Sequence, residues 1–273
     1  MHKKGENRSV FRKESDIERN RISVNLDEYY EKQGRNESIY TTYESKLGGR
    51  RFFFQERSKM ILSLLNFKND SKFLDIGTGV GHYIHDASIR NSQGRNISID
   101  ISLTYLRQVQ KRLNKVVNSA TNSLLIRADA RRLPSNNKIF DIVLCTEVIE
   151  HIPHYGKVIK EISRVTKPGA RIIITFPSRW SPDELLGQIK GYLSFYEHIN
   201  VIAFNTFKQL CKQNNLNILN VYHCCFCFQA FSRLLNIFPF LTSTIRFVER
   251  SIRKIPILCN LCWSTIIMIE KDR

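Results

Sequence analysis

The amino-acid sequence predicts a doubly wound α/β sheet with helices on both faces. Short, continuously apolar segments alternate with segments of helical periodicity through the middle of the chain, which indicates parallel strands buried on both faces. A glycine-rich turn follows the first of these strands, and Lys167-Pro168-Gly169 separates a predicted helix from the fifth. The 273 residues, 25% charged and 42% hydrophobic, suffice for one such domain and exclude a collagen-like or wholly disordered chain.

The elements follow from apolar spacing, taken in chain order. A polar arm, residues 1–56, is expected to contact the substrate and to lead into a helix at residues 50–65. The predicted strands are residues 73–76, 96–100, 123–127, 139–145, 171–176, 216–228 and 261–270. The predicted helices between them are residues 80–90, 103–117, 158–165 and 206–214, the last capped by Thr206. The domain proper is expected at residues 57–273, with a core at 71–177, a substrate loop at 178–200 and a helical insertion at about 229–258.

Basic residues are in excess along the whole chain. Lys and Arg number 42 against 25 Asp and Glu, which gives a net charge of +17. This excess favours anionic partners such as nucleic acid, lipid head groups or acidic substrates, and it equally fits an ordinary solvated surface. The first residues are not followed by an apolar stretch, and seven cysteines without an export signal indicate a reducing, cytoplasmic compartment.

The turn after the first predicted strand reads Leu74-Asp75-Ile76-Gly77-Thr78-Gly79-Val80-Gly81. Glycines at such a turn let the backbone approach a ligand closely. The spacing is G-x-G-x-G and not the G-x-G-x-x-G of dinucleotide-binding proteins, and Asp75 stands two residues before the first glycine. A carboxylate there disfavours a pyrophosphate and suits a ligand with an ammonium group.

Acidic residues also follow the next two predicted strands. Asp100 ends the second strand, where a carboxylate can accept hydrogen bonds from both hydroxyls of a ribose. Asp129 and Ala130 follow the third strand, where a carboxylate can accept from an adenine amino group. Because ligands bind at the carboxyl ends of strands in such sheets, the three ends together predict sites for an ammonium group, a ribose and an adenine.

On these motifs the chain resembles the class I S-adenosylmethionine-dependent methyltransferases, in particular their type 11-like members. The resemblance covers residues 73–176 and rests on LDIGTGVG, SID, ADA, FDIVLCTEVIEHI and KPGARIIITFP, in that order. It implies a Rossmann-like seven-stranded sheet whose last strand is antiparallel, and an enzyme with S-adenosyl-L-methionine as methyl donor. The implied cofactor contacts are Asp75, Gly77, Gly79, Asp100, Asp129, Ala130 and Thr146.

The segment Glu147-Val148-Ile149-Glu150-His151 admits two interpretations. At helical spacing Glu147, Glu150 and His151 share a face that can bind Mg²⁺ or Mn²⁺. In this interpretation the segment is similar to the metal motif of methyltransferases of small-RNA 3′ ends and of ubiquinone synthesis, with His198 as a further ligand. The favoured interpretation is a helix start without metal, with His151 in the cleft as a catalytic base or substrate contact.

The insertion at about 229–258 combines basic side chains with apolar ones at helical spacing. A basic amphipathic helix can lie on an anionic membrane. The same pattern suits a roof over the active site, core packing or a dimer contact, and packing is the favoured interpretation.

Together these features favour methyl transfer to a small-molecule or lipid-linked acceptor, on oxygen, by a cytoplasmic protein with at most peripheral membrane contact. Two alternatives stay open. One is a metal-dependent RNA 2′-O-methyltransferase, suggested by the charge and by residues 147–151. The other is a non-catalytic protein that binds membrane surfaces, suggested by the insertion.

Overall fold

The computed structural model describes residues 26–35, 48–68, 70–115, 122–182, 185 and 200–273. Within these residues the strands are β1 Lys72–Ile76, β2 Arg95–Asp100, β3 Ser123–Arg127, β4 Phe140–Thr146, β5 Thr166–Pro177, β6 Leu216–Phe226 and β7 Cys262–Lys271. They form one sheet in the order β3-β2-β1-β4-β5-β7-β6. Strands β1 to β5 pair in parallel, and β7 is antiparallel to both β5 and β6. The predicted doubly wound sheet with an antiparallel last strand is confirmed.

Helices connect the strands and precede the sheet. Those of the first part are α1 Leu26–Arg35, α2 Gly48–Leu64, α3 His82–Arg90, α4 Leu103–Leu113, α5 Gly156–Val165 and α6 Phe204–Gln213. Those between β6 and β7 are α7 Phe228–Ile237, α8 Thr242–Ile252 and the single turn α9 Pro256–Cys259. Short 3-10 turns cover Ile149–His151 and Pro239–Leu241. Among the described residues, no helix combines the length and the apolar character needed to cross a membrane.

Two apolar clusters cover the two faces of the sheet. One contains side chains of α5 and α6 with Leu74 and Ile76 of β1, and the other contains side chains of α2, α3, α4, α7 and α8 with Phe73. Successive residues of β1 therefore point to opposite clusters, as the period of a strand requires. The continuous apolar character of the strands follows from this burial on both faces.

Some predicted boundaries differ from the observed ones. Lys167-Pro168-Gly169, predicted as a turn, lies within the longer strand β5, whose pairing with β4 has an irregularity at its start. Thr206 lies within the first turn of α6, and the residue at the cap is Ala203, without a side-chain hydrogen bond. Residue 57, the predicted start of the domain proper, lies within α2, and the domain division itself stays a prediction.

The insertion packs one side against the body of the domain. Helix α7 lies on α2, where the backbone N–H of Gly49 donates to Asn236 Oδ1 at 2.9 Å. A Cβ on Gly49 would collide with the backbone of Ser232, so only glycine permits this approach. Leu235 and Ile245 are buried in the cluster that α2 shares. The packing interpretation accounts for this face and not for the outer face of the insertion, where large apolar side chains are exposed.

Candidate active site

The carboxyl ends of the central strands open onto a cavity of about 290 Å³. The predicted site residues that line it are Gly77, Gly79, Asp100, Asp129, Ala130, Thr146, Glu147 and His151. Asp75 and Glu150 are each 1% exposed and do not line it, and His198 lies outside the described residues. The structure thus brings the ends of β1, β2, β3 and β4 to one cavity, as expected at the switch point of such a sheet.

The glycine-rich turn shapes the cavity wall. Gly77 has a φ of 68°, and a Cβ there would lie 2.3 Å from Val148 Cγ2. Gly79 has a φ of 50°, and no atom lies within 4 Å of a Cβ built on it. The left-handed conformation costs other residues about 1–2 kcal/mol. Gly77 therefore allows two strand-end loops to pack closely, whereas Gly79 leaves space at the cavity wall for a ligand.

Asp100 is a buried and firmly oriented acceptor at the end of β2. Its Oδ2 accepts a hydrogen bond of 2.8 Å from the N–H of Gly79, and its Oδ1 accepts one of 2.9 Å from the N–H of Ser102. Burial raises the pKa of Asp100 to about 6, although both hydrogen bonds oppose this, and the charge of Glu31 adds to the rise. The carboxylate is therefore ionised at neutral pH, as the predicted ribose contact requires.

Asp75 lies in β1 behind the glycine turn. Its Oδ2 accepts a hydrogen bond of 2.8 Å from Thr78 Oγ1, and its buried Oδ1 has no hydrogen-bond partner within the described part of the chain. Burial raises the pKa of Asp75 to about 7 against the hydrogen bond of Thr78, and the charge of Asp100 adds to the rise. A cationic ligand group nearby would stabilise the ionised form. The buried carboxylate thus fits a ligand with an ammonium group, although a direct contact stays a prediction.

Asp129 follows β3 and is held by Arg131. The Arg131 Nη2 lies 2.6 Å from Asp129 Oδ2, and Nε donates to Oδ1 at 3.0 Å. Burial acts to raise the pKa of Asp129, but the hydrogen bonds and charge of Arg131 outweigh it and hold the pKa below its usual value. An adenine amino group would have to share the Asp129 carboxylate with the Arg131 guanidinium. The predicted adenine contact therefore depends on lone pairs of the Asp129 oxygens that Arg131 does not use.

Glu147 follows β4 and forms a buried ion pair with Arg57. Its Oε2 lies 3.3 Å from Arg57 Nη1, and its Oε1 accepts a hydrogen bond of 2.7 Å from Thr175 Oγ1. The Arg57 guanidinium, only 3% exposed, lies over the rings of Phe54 and Trp263 at 4.9 and 5.5 Å. Stacking and ion pairing together hold this guanidinium at the cavity wall.

The structure corrects the expected metal-binding face. Glu147 has a φ of 52° and precedes the 3-10 turn, so Glu147, Glu150 and His151 do not share the face of an α-helix. The Glu147 carboxylate already faces Arg57, whose charge opposes a cation at the same oxygen. Within the described ranges, no group of three His, Cys, Asp or Glu side chains could hold a metal ion. The described donor set therefore does not fit Mg²⁺ or Mn²⁺.

His151 instead forms a pair with Glu150. Its Nε2 lies 3.7 Å from Glu150 Oε1, and its ring meets the ring of Tyr30 edge-on, with 6.1 Å between centroids. The imidazole is 18% exposed and lines the cavity. A buried carboxylate at this distance stabilises an imidazolium, which is the form that a general base acquires.

Helix α1, which belongs to the polar arm expected to contact the substrate, forms one wall of the cavity. Tyr29 and Tyr30 line the cavity. Glu31 binds the start of α4, because its carboxylate accepts from the N–H of Leu103 at 2.5 Å and from Thr104 Oγ1 at 2.5 Å. Helix α1 is thereby fixed beside Asp100, at the end of the preceding strand.

Arg57, Tyr29 and Tyr30 line the cavity but were not named from the sequence, and only Arg57 has a sequence signal that could have identified it. Arg57 stands on the apolar stripe of α2, four residues after Phe53 and four before Ile61, both fully buried. A charged residue on such a stripe signals a buried partner. Tyr29 and Tyr30 belong to a short polar segment and carry no comparable signal.

Comparison with known proteins agrees with this architecture. A family profile described as a methyltransferase domain matches residues 49–221, more than half of the chain. A malonyl-[acyl-carrier protein] O-methyltransferase of Marinomonas sp. (strain MWYL1) is 29% identical over 59% of this chain and 58% of its own length. A demethylmenaquinone methyltransferase of Bacillus cereus (strain AH187) is 25% identical over 57% of this chain and 64% of its own length. The match therefore spans less than two thirds of the length of these relatives.

Solved structures show the same fold at low sequence identity. A phosphoethanolamine N-methyltransferase 2 of Haemonchus contortus, solved with S-adenosylhomocysteine, has a TM-score of 0.67 at 17% identity and covers 92% of this chain and 61% of its own. A geranyl diphosphate C-methyltransferase of Streptomyces coelicolor has a TM-score of 0.60 at 13% identity and covers 80% of each chain. Together with the profile match and the sheet order, these comparisons show that the chain belongs to the class I S-adenosylmethionine-dependent methyltransferases.

Proposed function

We propose that this chain transfers the methyl group of S-adenosylmethionine to a hydroxyl oxygen of a small or lipid-linked acceptor. The observation that carries the proposal concerns the lining of one cavity. The strand ends that are expected to bind the donor line it, and so do Tyr30, Arg57 and His151, which are not assigned to donor binding. The relatives named as a malonyl-[acyl-carrier protein] O-methyltransferase and a demethylmenaquinone methyltransferase support a small or lipid-linked acceptor, and the first of these names also supports oxygen as the methylated atom.

The chain's own contribution is positioning and exclusion of water. S-adenosylmethionine, when bound, supplies a methyl group already activated by the sulfonium charge. Asp75, Asp100 and Gly79 are proposed to hold its amino acid and ribose parts. Apolar side chains such as Val148 and Ile152 share the cavity wall and limit access of water to the reacting atoms.

His151 is the proposed general base. As the methyl carbon leaves sulfur and bonds to the acceptor oxygen, the hydroxyl proton passes to the imidazole, and Glu150 stabilises the resulting imidazolium. His82 also lines the cavity, but burial and the charges of Arg112 and Arg57 lower its pKa to about 4. His82 is therefore a weak proton acceptor near neutral pH and suits a hydrogen-bonding role.

The test is incubation of the full chain with methyl-labelled donor and separate metabolite, lipid and RNA fractions, each with and without a chelator. We expect the label in the metabolite or lipid fraction, present as a methyl ether, and its incorporation should be unaffected by the chelator. His151→Asn should lower the rate by about 100-fold, because general-base catalysis contributes at least that much. His154→Asn is the matched control, since His154 is an exposed loop residue.

Other outcomes would contradict the proposal. Chelator-sensitive label in the RNA fraction would favour the metal-dependent RNA enzyme. Absence of label from every fraction, with saturable donor binding retained, would favour a non-catalytic protein. Donor binding that is unchanged in both Asp75→Ala and Asp100→Ala would overturn the proposed cofactor site.

A further inference from the structure

The outer face of the insertion exposes a cluster of large apolar side chains. This outer face consists of Ile237, Phe238, Phe240, Phe247 and Ile255, which are 68, 43, 78, 71 and 45% exposed. The rings of Phe238 and Phe240 meet edge-on, with 5.9 Å between their centroids. Single exposed apolar residues are common, but five large ones within 19 residues of one insertion are typical of a surface that binds a partner.

Exposed cations flank this apolar cluster. Arg233, Arg250 and Lys254 are exposed on the same helices and the turn that follows. Glu249 is the single acidic residue among residues 229–258, and it is 1% exposed and paired with Arg253 at 3.2 Å. The solvent-facing side of the insertion is therefore apolar and cationic.

We propose that the outer face docks onto an anionic lipid bilayer. The aromatic and aliphatic side chains of the outer face enter the interface between head groups and acyl chains. Arg233, Arg250 and Lys254 contact lipid phosphates. A protein partner would have to offer both an apolar pocket for several aromatic rings and a ring of acidic groups, whereas an anionic membrane offers both features everywhere. The net charge of +17 adds long-range attraction to the same surface.

Docking of this face would fix the orientation of the cavity. Helix α7 begins at Phe228, whose ring stacks on Trp263 at 5.2 Å and 22°, and Trp263 lies against the Arg57 guanidinium. The start of the insertion is thus linked through Trp263 to a side chain of the cavity wall. Membrane binding itself does not depend on which acceptor is methylated, so the two proposals can fail separately.

The test is flotation of the full chain with phosphatidylcholine vesicles, with and without phosphatidylserine. We expect flotation with the anionic vesicles only, and a loss of binding as salt is raised. Phe240→Ser/Phe247→Ser and Arg250→Gln/Lys254→Gln should each lower the partition coefficient by about tenfold or more. Affinity for S-adenosylmethionine should be unchanged in both, since these residues do not line the cavity.

Matched controls lie at the opposite edge of the sheet. Leu124→Ser removes a 54% exposed apolar side chain from β3, and Arg107→Gln/Lys111→Gln removes two exposed cations from α4. Both controls should float like the unaltered chain. Equal binding to neutral vesicles, equal losses in the controls, or no flotation at all would overturn the proposal. So would sedimentation showing a dimer that Phe240→Ser/Phe247→Ser dissociates while flotation is absent, because the face would then bind a second copy.

Discussion

Asp100 and Gly79 are joined by a hydrogen bond of 2.8 Å from the backbone N–H of Gly79 to the Asp100 carboxylate. This bond ties the end of β2 to the turn after β1. The acceptor expected to hold a ribose and the glycine expected to make room for the ligand are therefore one structural unit. Changes at either residue should affect donor binding before they affect the fold.

Donor affinity is expected to rise with pH. Burial raises the pKa of Asp100 to about 6 and that of Asp75 to about 7. Because the donor's hydroxyl and ammonium groups favour the ionised carboxylates, affinity should increase by about tenfold per pH unit for each group below its pKa, and level off above about pH 7. Calorimetry across this range measures the slope. Asp100→Asn should weaken binding and remove part of the slope, while Asp141→Asn, whose carboxylate pairs with Lys167 at 2.6 Å, should do neither.

The free energy of unfolding is expected to fall with rising pH, whereas donor affinity rises. The pKa values of Asp75 and Asp100 in the folded chain lie above the ordinary value of 3.8 that applies to the unfolded chain. Between pH 3.8 and the raised pKa of each group, the folded chain therefore binds more protons than the unfolded one. The free energy of unfolding should therefore fall as pH rises from about 4 to about 7 and then stay constant with respect to these groups. Denaturant titration of Asp75→Asn should show a smaller fall. A fall of full size in this variant would contradict the assignment.

Alanine substitutions at Gly77 and Gly79 should distinguish a glycine needed for packing from one needed for donor binding. Gly77→Ala places a Cβ against Val148 in a left-handed conformation, and we expect a loss of about 2–3 kcal/mol in unfolding free energy. Gly79→Ala meets no neighbouring atom, so it should cost only about 1 kcal/mol while weakening donor binding strongly. Thermal unfolding and calorimetry measure the two effects. Equal stability losses with intact donor binding in Gly79→Ala would contradict the proposed ligand space.

Removal of the Glu31 carboxylate should loosen helix α1. Glu31→Ala leaves the first N–H groups of α4 without this acceptor, at a cost of about 1 kcal/mol. Since α1 carries Tyr29 and Tyr30 to the cavity, the KM for donor and acceptor should rise by about fivefold, with a smaller change in kcat. Glu28→Ala, on an exposed side of the same helix, is the control. An unchanged KM would show that α1 does not help to form the site.

Removal of only one partner of the Arg57–Glu147 ion pair should lower the stability of the fold. Arg57→Ala removes the ion-pair partner of the half-buried Glu147 carboxylate and leaves a void beside Phe54 and Trp263, and we expect a loss of about 3 kcal/mol in stability together with a loss of activity. Arg57→Met/Glu147→Gln should recover much of the stability, because it removes both charges and keeps similar volume. Arg51→Ala, an exposed position on the same helix, should have little effect. Chemical denaturation measures each variant, and full stability in Arg57→Ala would show that the pair contributes nothing.

The sheet could be predicted from sequence because its signals are local. Each strand is a short apolar run, and the stripe from Phe53 to Ile61 placed α2 within two residues of its observed limits. The glycine turn and the three strand-end aspartates are read from spacing alone. These are the parts of the site that the sequence placed at the correct strand ends.

The remaining parts depend on contacts between distant residues. Helical spacing suggested that Glu147 and His151 share a face, but Thr175 and Arg57 hold Glu147 in a left-handed conformation outside the helix. Neither partner is near in sequence. The wall formed by α1 likewise depends on the hydrogen bonds of Glu31 to residues more than 70 positions away.

The contact of Arg57 with Trp263 has a consequence for how the chain matures during translation. The two residues lie more than 200 positions apart in the sequence. The strands β1 to β5 can pair while the ribosome is still extending the chain, but this guanidinium cannot be covered by the indole ring until the ribosome has synthesised Trp263. Nascent chains that end before Trp263 should therefore possess an ordered parallel sheet and still lack a finished catalytic pocket.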